Sequence, residues 1–96
     1  MRQLKRWDNG KVIYEGDFNT NKELVEGAVR EGLSLKYTNM ANMDLSGADL
    51  RHTDLKYANL RHANLESADL ESANIDFASW PLWCGSIGVI MDEKQL

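Results

Sequence analysis

Five carboxylates fall into two registers in the middle of this chain, Asp44, Asp49 and Asp69 in one and Glu66 and Glu71 in the other, each stepped by multiples of five. Carboxylates at regular spacing on a stiff support offer negative charge to a basic surface; duplex DNA itself shows one negative charge per about 1.7 Å of axis. They are too regular to single out a general acid and a general base. His52 and His62 supply no ligand set for a metal. Cys84 lies in WCGS, a setting like that of a catalytic thiol, yet no His lies near it in sequence, so a buried structural Cys is the favoured reading. There is no P-loop, GxSxG, HExxH or CxxC motif. The expectation is a protein that is not an enzyme and takes no cofactor and no metal.

The chemistry left is binding, and composition limits the partner. Eleven Lys and Arg against fifteen Asp and Glu give a net charge of −4, which argues against direct nucleic-acid binding, since phosphate contact needs a basic stripe. The excess sits in one region: residues 1–32 carry six charges of each sign, whereas residues 33–82 carry four basic and seven acidic side chains. The chain of 96 residues has one Cys, one Pro and no Gly/Ser linker, so one domain without a disulfide framework is expected. No apolar run approaches a membrane span and MRQLKRWDNG has no signal-peptide core, so the expected location is the cytoplasm of a bacterial cell.

The elements that must position these residues fall into three segments. Residues 1–32 read as a cap. RQLKRWDNGKVIYEG suggests a β-hairpin with a two-residue type I′ turn at Asn9-Gly10 and Trp7 opposite Val12. NKELVEGAVREG suggests a short helix capped by Thr20 or Asn21, with Leu24, Val25, Ala28 and Val29 as its apolar stripe and Gly32 at its end. Residues 33–82 are repetitive: LSLKY, TNMAN, MDLSG, ADLRH, TDLKY, ANLRH, ANLES, ADLES, ANIDF, ASWPL. The third position is apolar in every unit, from Leu35 to Trp80, and the second is always Ser, Asn or Asp. Residues 83–96 read as a closing tail with Trp83, Ile87, Val89 and Ile90, ending in what looks like the first turn of a helix at Asp92.

A period of five belongs to neither an α-helix nor a β-strand. The units resemble the pentapeptide-repeat family, whose repeat is written A(D/N)LXX. That resemblance implies a right-handed quadrilateral β-helix, an all-β solenoid in which four units make one square coil. Ten units then make about two and a half coils, with the hairpin and helix covering one end. The small first residue and the apolar third residue point inward, the Asp or Asn supports the corner through backbone N–H groups, and the last two residues face solvent.

On such a coil, residues twenty apart stack at about 4.8 Å. Tyr37, Tyr57 and Phe77 then form an aromatic column, with Lys36 and Lys56 beside it and Asp76 above. Two adjacent sides hold Asp44, Asp49, Glu66, Asp69 and Glu71 against Arg51 alone, whereas His52 and His62 lie on opposite sides. Some family members mimic duplex DNA in width and charge and inhibit DNA-binding proteins such as DNA gyrase. The present chain departs from those long dimeric rods: it has about 12 Å of rod and keeps Arg51, Lys56 and Arg61 on the coil. Its order of hairpin, helix, compact repeat and WPLWCGS tail is similar to that of small members from phage or prophage.

The expectation is therefore an inhibitor that binds a host protein or defence complex, such as a CRISPR-type one. It would occupy a nucleic-acid-binding site by short-range DNA mimicry through the acidic sides. The alternative is an interaction or assembly module using Tyr37, Tyr57, Phe77 and Trp83, with a homodimer through the C-terminal end.

Overall fold

Along the repeat every fifth residue takes the left-handed backbone conformation. Tyr37, Asn42, Gly47, His52, Tyr57, His62, Ser67, Ser72 and Phe77 all have φ between 60° and 69°. Around eight of these nine, His52 being the exception, the third residue of the unit accepts a hydrogen bond from the first residue of the next, as Leu45 does from Ala48 (3.0 Å) and Leu55 from Ala58 (2.9 Å). Positive φ at the third place of a four-residue turn is the requirement of a type II turn. The second residue braces it: Asn59 Oδ1 accepts from the Arg61 N–H at 3.1 Å, and Asp69 Oδ1 from the Glu71 N–H at 3.0 Å. One Asx bond and one left-handed residue thus bend the chain once per unit.

Four bends bring the chain back over itself. In the computed structural model, which describes residues 1–79, Asn39 bridges Asn59, Asp44 bridges Asn64, Asp49 bridges Asp69, Asp54 bridges Asn74 and Asn59 bridges Ser79, all in parallel. Each rung uses bonds in both directions: the Leu50 N–H donates to the Asp69 carbonyl at 2.8 Å, and the Asp69 N–H to the Ala48 carbonyl at 2.9 Å. The repeat is therefore a four-sided β-helix solenoid built from single-residue bridges rather than long strands. Residues 33–79 wind a little over two coils.

Inside the tube stand Leu35, Met40, Leu45, Leu50, Leu55, Leu60, Leu65 and Leu70, all buried, alternating with buried Ala48, Ala58, Ala63, Ala68 and Ala73. One large and one small residue per side fill the narrow bore; each buried Leu is worth about 1.5–3 kcal/mol. Ile75, at the end away from the cap, is only half-buried.

The other end is closed by three short elements: β1 (Arg2–Lys5), β2 (Val12–Gly16) and α1 (Asn21–Arg30). Thr20 caps α1, accepting from the Glu23 N–H at 3.1 Å. At the other terminus Gly32 (φ 74°) donates to Val29, and Leu33 to Ala28, a Schellman ending. Leu24, Val25 and Ala28 join Leu4 in the same core as the coil leucines. β1 lies along the first coil, where the Asn39 N–H donates to the Lys5 carbonyl at 2.8 Å and Arg6 bridges Thr38.

The hairpin differs from its expected form. Gly10 has φ 73° but Asn9 is not left-handed, so there is no type I′ turn, which needs both. Instead the Gly10 N–H donates to the Arg6 carbonyl at 3.0 Å, and the Arg6 N–H to Lys11 at 2.9 Å. Val12 pairs with Lys5, not with Trp7, after a register shift that leaves Ile13 as an extra residue. The longer loop releases Trp7 from the sheet and lets it turn onto the coil. The readings of Trp80, Trp83, Cys84, Ile87, Val89, Ile90 and Asp92, and of a C-terminal dimer contact, lie outside the described residues.

Candidate interaction surfaces

The fifth-position residues point outward from the corners, and the twenty-residue pitch places three aromatic ones in a column. The Tyr37 and Tyr57 rings stack with centroids 4.9 Å apart and planes 9° apart, and Tyr57 and Phe77 at 5.1 Å and 13°. Stacked rings cover one another's faces, so the column shows mainly ring edges to solvent. Its last ring, Phe77, is 72% exposed.

The repeat does not account for the near end of this column, which comes from the hairpin. Trp7 packs against Tyr37 at 5.8 Å, its backbone N–H donates to the Tyr37 carbonyl at 2.8 Å, and its Nε1–H to the Tyr57 carbonyl at 2.7 Å. One indole thus clips two successive coils. Beside it the Arg6 guanidinium lies 4.6 Å from the Tyr37 ring centroid, gripped by Asp8 through bonds of 2.8 and 2.6 Å. That pairing holds Arg6 above and Asp8 below their ordinary values. The Lys56 ammonium stands 5.7 Å from the Tyr57 centroid. Trp7, expected in the sheet opposite Val12, is instead half-exposed and turned onto the coil, and no signal in the sequence marks that contact.

The five acidic residues are not equivalent. Asp44, Asp49 and Asp69 are second-position residues, and each spends a carboxylate oxygen on the backbone N–H two residues on. The Ser46 hydroxyl also donates to Asp44 at 2.8 Å and, with the Ser46 amide, holds Asp44 below the usual carboxylate range. Asp49 is held down chiefly by Arg51, whose guanidinium reaches both its oxygens at 2.9 and 3.0 Å. The same Arg51 Nε stands 3.8 Å from Asp69 one coil on. One arginine therefore pairs with two of the carboxylates and also feels the charge of a third, Glu71.

Glu66 and Glu71 are exposed and form no ion pair among the described residues. They belong to a wider sorting of the outward fourth positions. Arg51, Lys56 and Arg61 follow one another around the coil, and then Glu66, Glu71 and Asp76 do the same. Among the fourth positions, negative charge is thus gathered toward the end away from the cap. His52 and His62 lie half a coil apart. Among the described residues no group of His, Cys, Asp and Glu could hold a metal ion, and no helix is long and apolar enough to cross a membrane.

The family model for pentapeptide repeats matches in eight copies over residues 31–66 and 48–79, which spans half of the chain. The chain belongs to the pentapeptide-repeat family. The bends, the inward Leu and Ala and the Asx braces follow that repeat unit by unit. Among solved structures, the chain is similar to a pentapeptide repeat protein from the cyanobacterium Cyanothece 51142, with 31% identity over 62% of this chain and a TM-score of 0.46. The match spans 40% of that protein. No curated protein matches the chain.

Proposed function

We propose that this pentapeptide-repeat chain is a non-enzymatic protein-interaction module acting in the cytoplasm of a bacterial cell. One observation carries the reading: a rigid ladder of rings, Trp7, Tyr37, Tyr57 and Phe77, runs the length of the described coil on its outside. Aromatic residues at this density are the anchors that protein interfaces favour. Backbone rungs beneath them fix the rings before any partner arrives, so little side-chain entropy is lost on docking.

A narrower reading is an inhibitor that occupies the nucleic-acid-binding site of a host protein or defence complex by short-range DNA mimicry. Its support is Glu66 and Glu71, exposed and unpaired among the described residues, with Asp76 next in line. Against it stands Arg51, which draws Asp49 and Asp69 out of the acidic field and also offsets part of the charge of Glu71. The mimicking surface is then Glu66, Glu71 and Asp76 with help from Asp44, smaller than five carboxylates on two sides.

A pull-down from bacterial lysate, with and without excess duplex DNA, tests both readings. A partner lost on Tyr57→Ala but indifferent to DNA and salt supports the plain module. A partner displaced by DNA, and lost on Glu66→Gln with Glu71→Gln, supports mimicry. Capture that ignores both sets of substitutions would sink both readings.

A further inference from the structure

The near end of the aromatic column shows what kind of group the column accepts. There the Arg6 guanidinium lies against the Tyr37 ring at 4.6 Å, and a carboxylate, Asp8, holds it in place. The far end has two of these three parts. Phe77 is 72% exposed, and the neighbouring Asp76 is exposed and forms no ion pair among the described residues. Lys56 occupies the same place in its unit as Asp76 and brings its charge to 5.7 Å from the adjacent Tyr57 ring. The fourth position therefore flanks the fifth-position ring, and a side chain there can turn toward it.

We propose that Phe77 and Asp76 are the landing site for an arginine side chain of a protein partner. The guanidinium would lie on the Phe77 ring as Arg6 lies on Tyr37, with Asp76 in the role of Asp8. Glu71, the preceding fourth-position residue around the coil, adds negative charge that favours a basic segment around that arginine. Arginine suits the site better than lysine, because a planar guanidinium can stack on a ring and bond a carboxylate at once. Residues 80–96 contain no arginine. This inference rests on the reading of the chain as an interaction module and names the chemistry of its partner.

The test is an NMR titration of the full chain with a tetra-arginine peptide and a tetra-lysine peptide of equal charge. The arginine peptide is expected to shift the Phe77 ring protons and the Asp76 amide, and to bind roughly two- to fivefold more tightly, the scale of an exposed cation–π contact. Phe77→Leu should abolish that preference, and Asp76→Asn should weaken it. Equal affinities, or a preference that survives Phe77→Leu, would overturn the proposal. So would a change in the Trp80 and Trp83 indole signals on Phe77→Leu before any peptide is added, since that would assign the ring to the chain's own segment. A lysate partner held equally by wild type and Phe77→Leu but lost on Tyr57→Ala would end this proposal and leave the module reading standing. Arginine selectivity at Phe77 with no partner captured would do the reverse.

Discussion

The Glu26 side chain of α1 accepts a hydrogen bond from the Asp49 backbone N–H at 2.9 Å. One coil further on, the equivalent N–H of Asp69 donates to the Ala48 carbonyl at the same 2.9 Å. A carboxylate from the cap therefore stands where a preceding coil's carbonyl would be. On another side the Lys5 carbonyl of β1 serves the Asn39 N–H in the same way. The cap covers the apolar bore and also supplies acceptors to the first coil's unpaired donors, which an open sheet end would leave exposed.

Glu26→Ala should consequently cost more than the loss of a surface charge. The expected destabilisation in urea unfolding is about 1 kcal/mol, the net worth of one hydrogen bond. Glu26→Gln keeps an amide oxygen in place and should retain most of the stability. Equal losses in the two variants would show that charge, not the missing rung, is what Glu26 provides.

Trp7 ties the hairpin to two coils at once, through the Tyr37 and Tyr57 carbonyls. Trp7→Phe preserves ring contact with Tyr37 but removes the indole donor, and should cost about 1 kcal/mol. Trp7→Ala should cost more, because the ring contact goes too. In hydrogen exchange, both variants should open the hairpin without exposing the rungs around Leu60.

The contrast between Trp7 and the repeat explains what could be read in advance. The coil was legible because each unit carries its own instructions: an inward Leu, an Asx brace and a tolerant fifth residue, repeated until chance is excluded. Stacking of Tyr37, Tyr57 and Phe77 follows from that period alone. The hairpin register was not legible, because Asn9-Gly10 suits a tight turn locally and only contact with the coil favours the longer loop. Nor was the division of labour among the carboxylates. Asp49 and Glu71 look alike as charges, and only the geometry shows Arg51 spanning Asp49 and Asp69.

Thr38 is buried, and its hydroxyl has no hydrogen-bond partner. It sits at a first position, where most units carry Ala. Thr38→Val keeps the volume and removes the unsatisfied oxygen, so it should stabilise the fold by about 1 kcal/mol. A measured loss of stability would mean that the hydroxyl is satisfied in solution, by water or by a shifted neighbour.

The Arg51 pairing has a signature in acid. Asp49 is held below its ordinary value of 3.8, first by its bond to Arg51. A depressed folded-state value contributes stability above the unfolded-state value, and that stability is lost as pH falls through the folded-state value. Melting temperature should therefore drop as pH is lowered below about 4, and the drop should be smaller in Arg51→Gln. Both side chains are more than half exposed by solvent contact, so the difference will be modest and should shrink with added salt. Parallel acid limbs in the two proteins would remove Asp49 from the list of groups that Arg51 stabilises.

His62 isolates the backbone contribution of the corner. It has φ 62° and is exposed, away from the aromatic column. A β-branched side chain is poorly tolerated in this conformation, where even ordinary L-residues lose about 1–2 kcal/mol. His62→Val should therefore destabilise by about that amount, whereas His62→Gly and His62→Asn should be neutral or mildly stabilising. The expected order in thermal unfolding is Gly and Asn above His, and His well above Val. If Val matched His, the fifth residue would not be held left-handed in solution, and the bend that makes a five-residue unit into one side of the coil would need another cause.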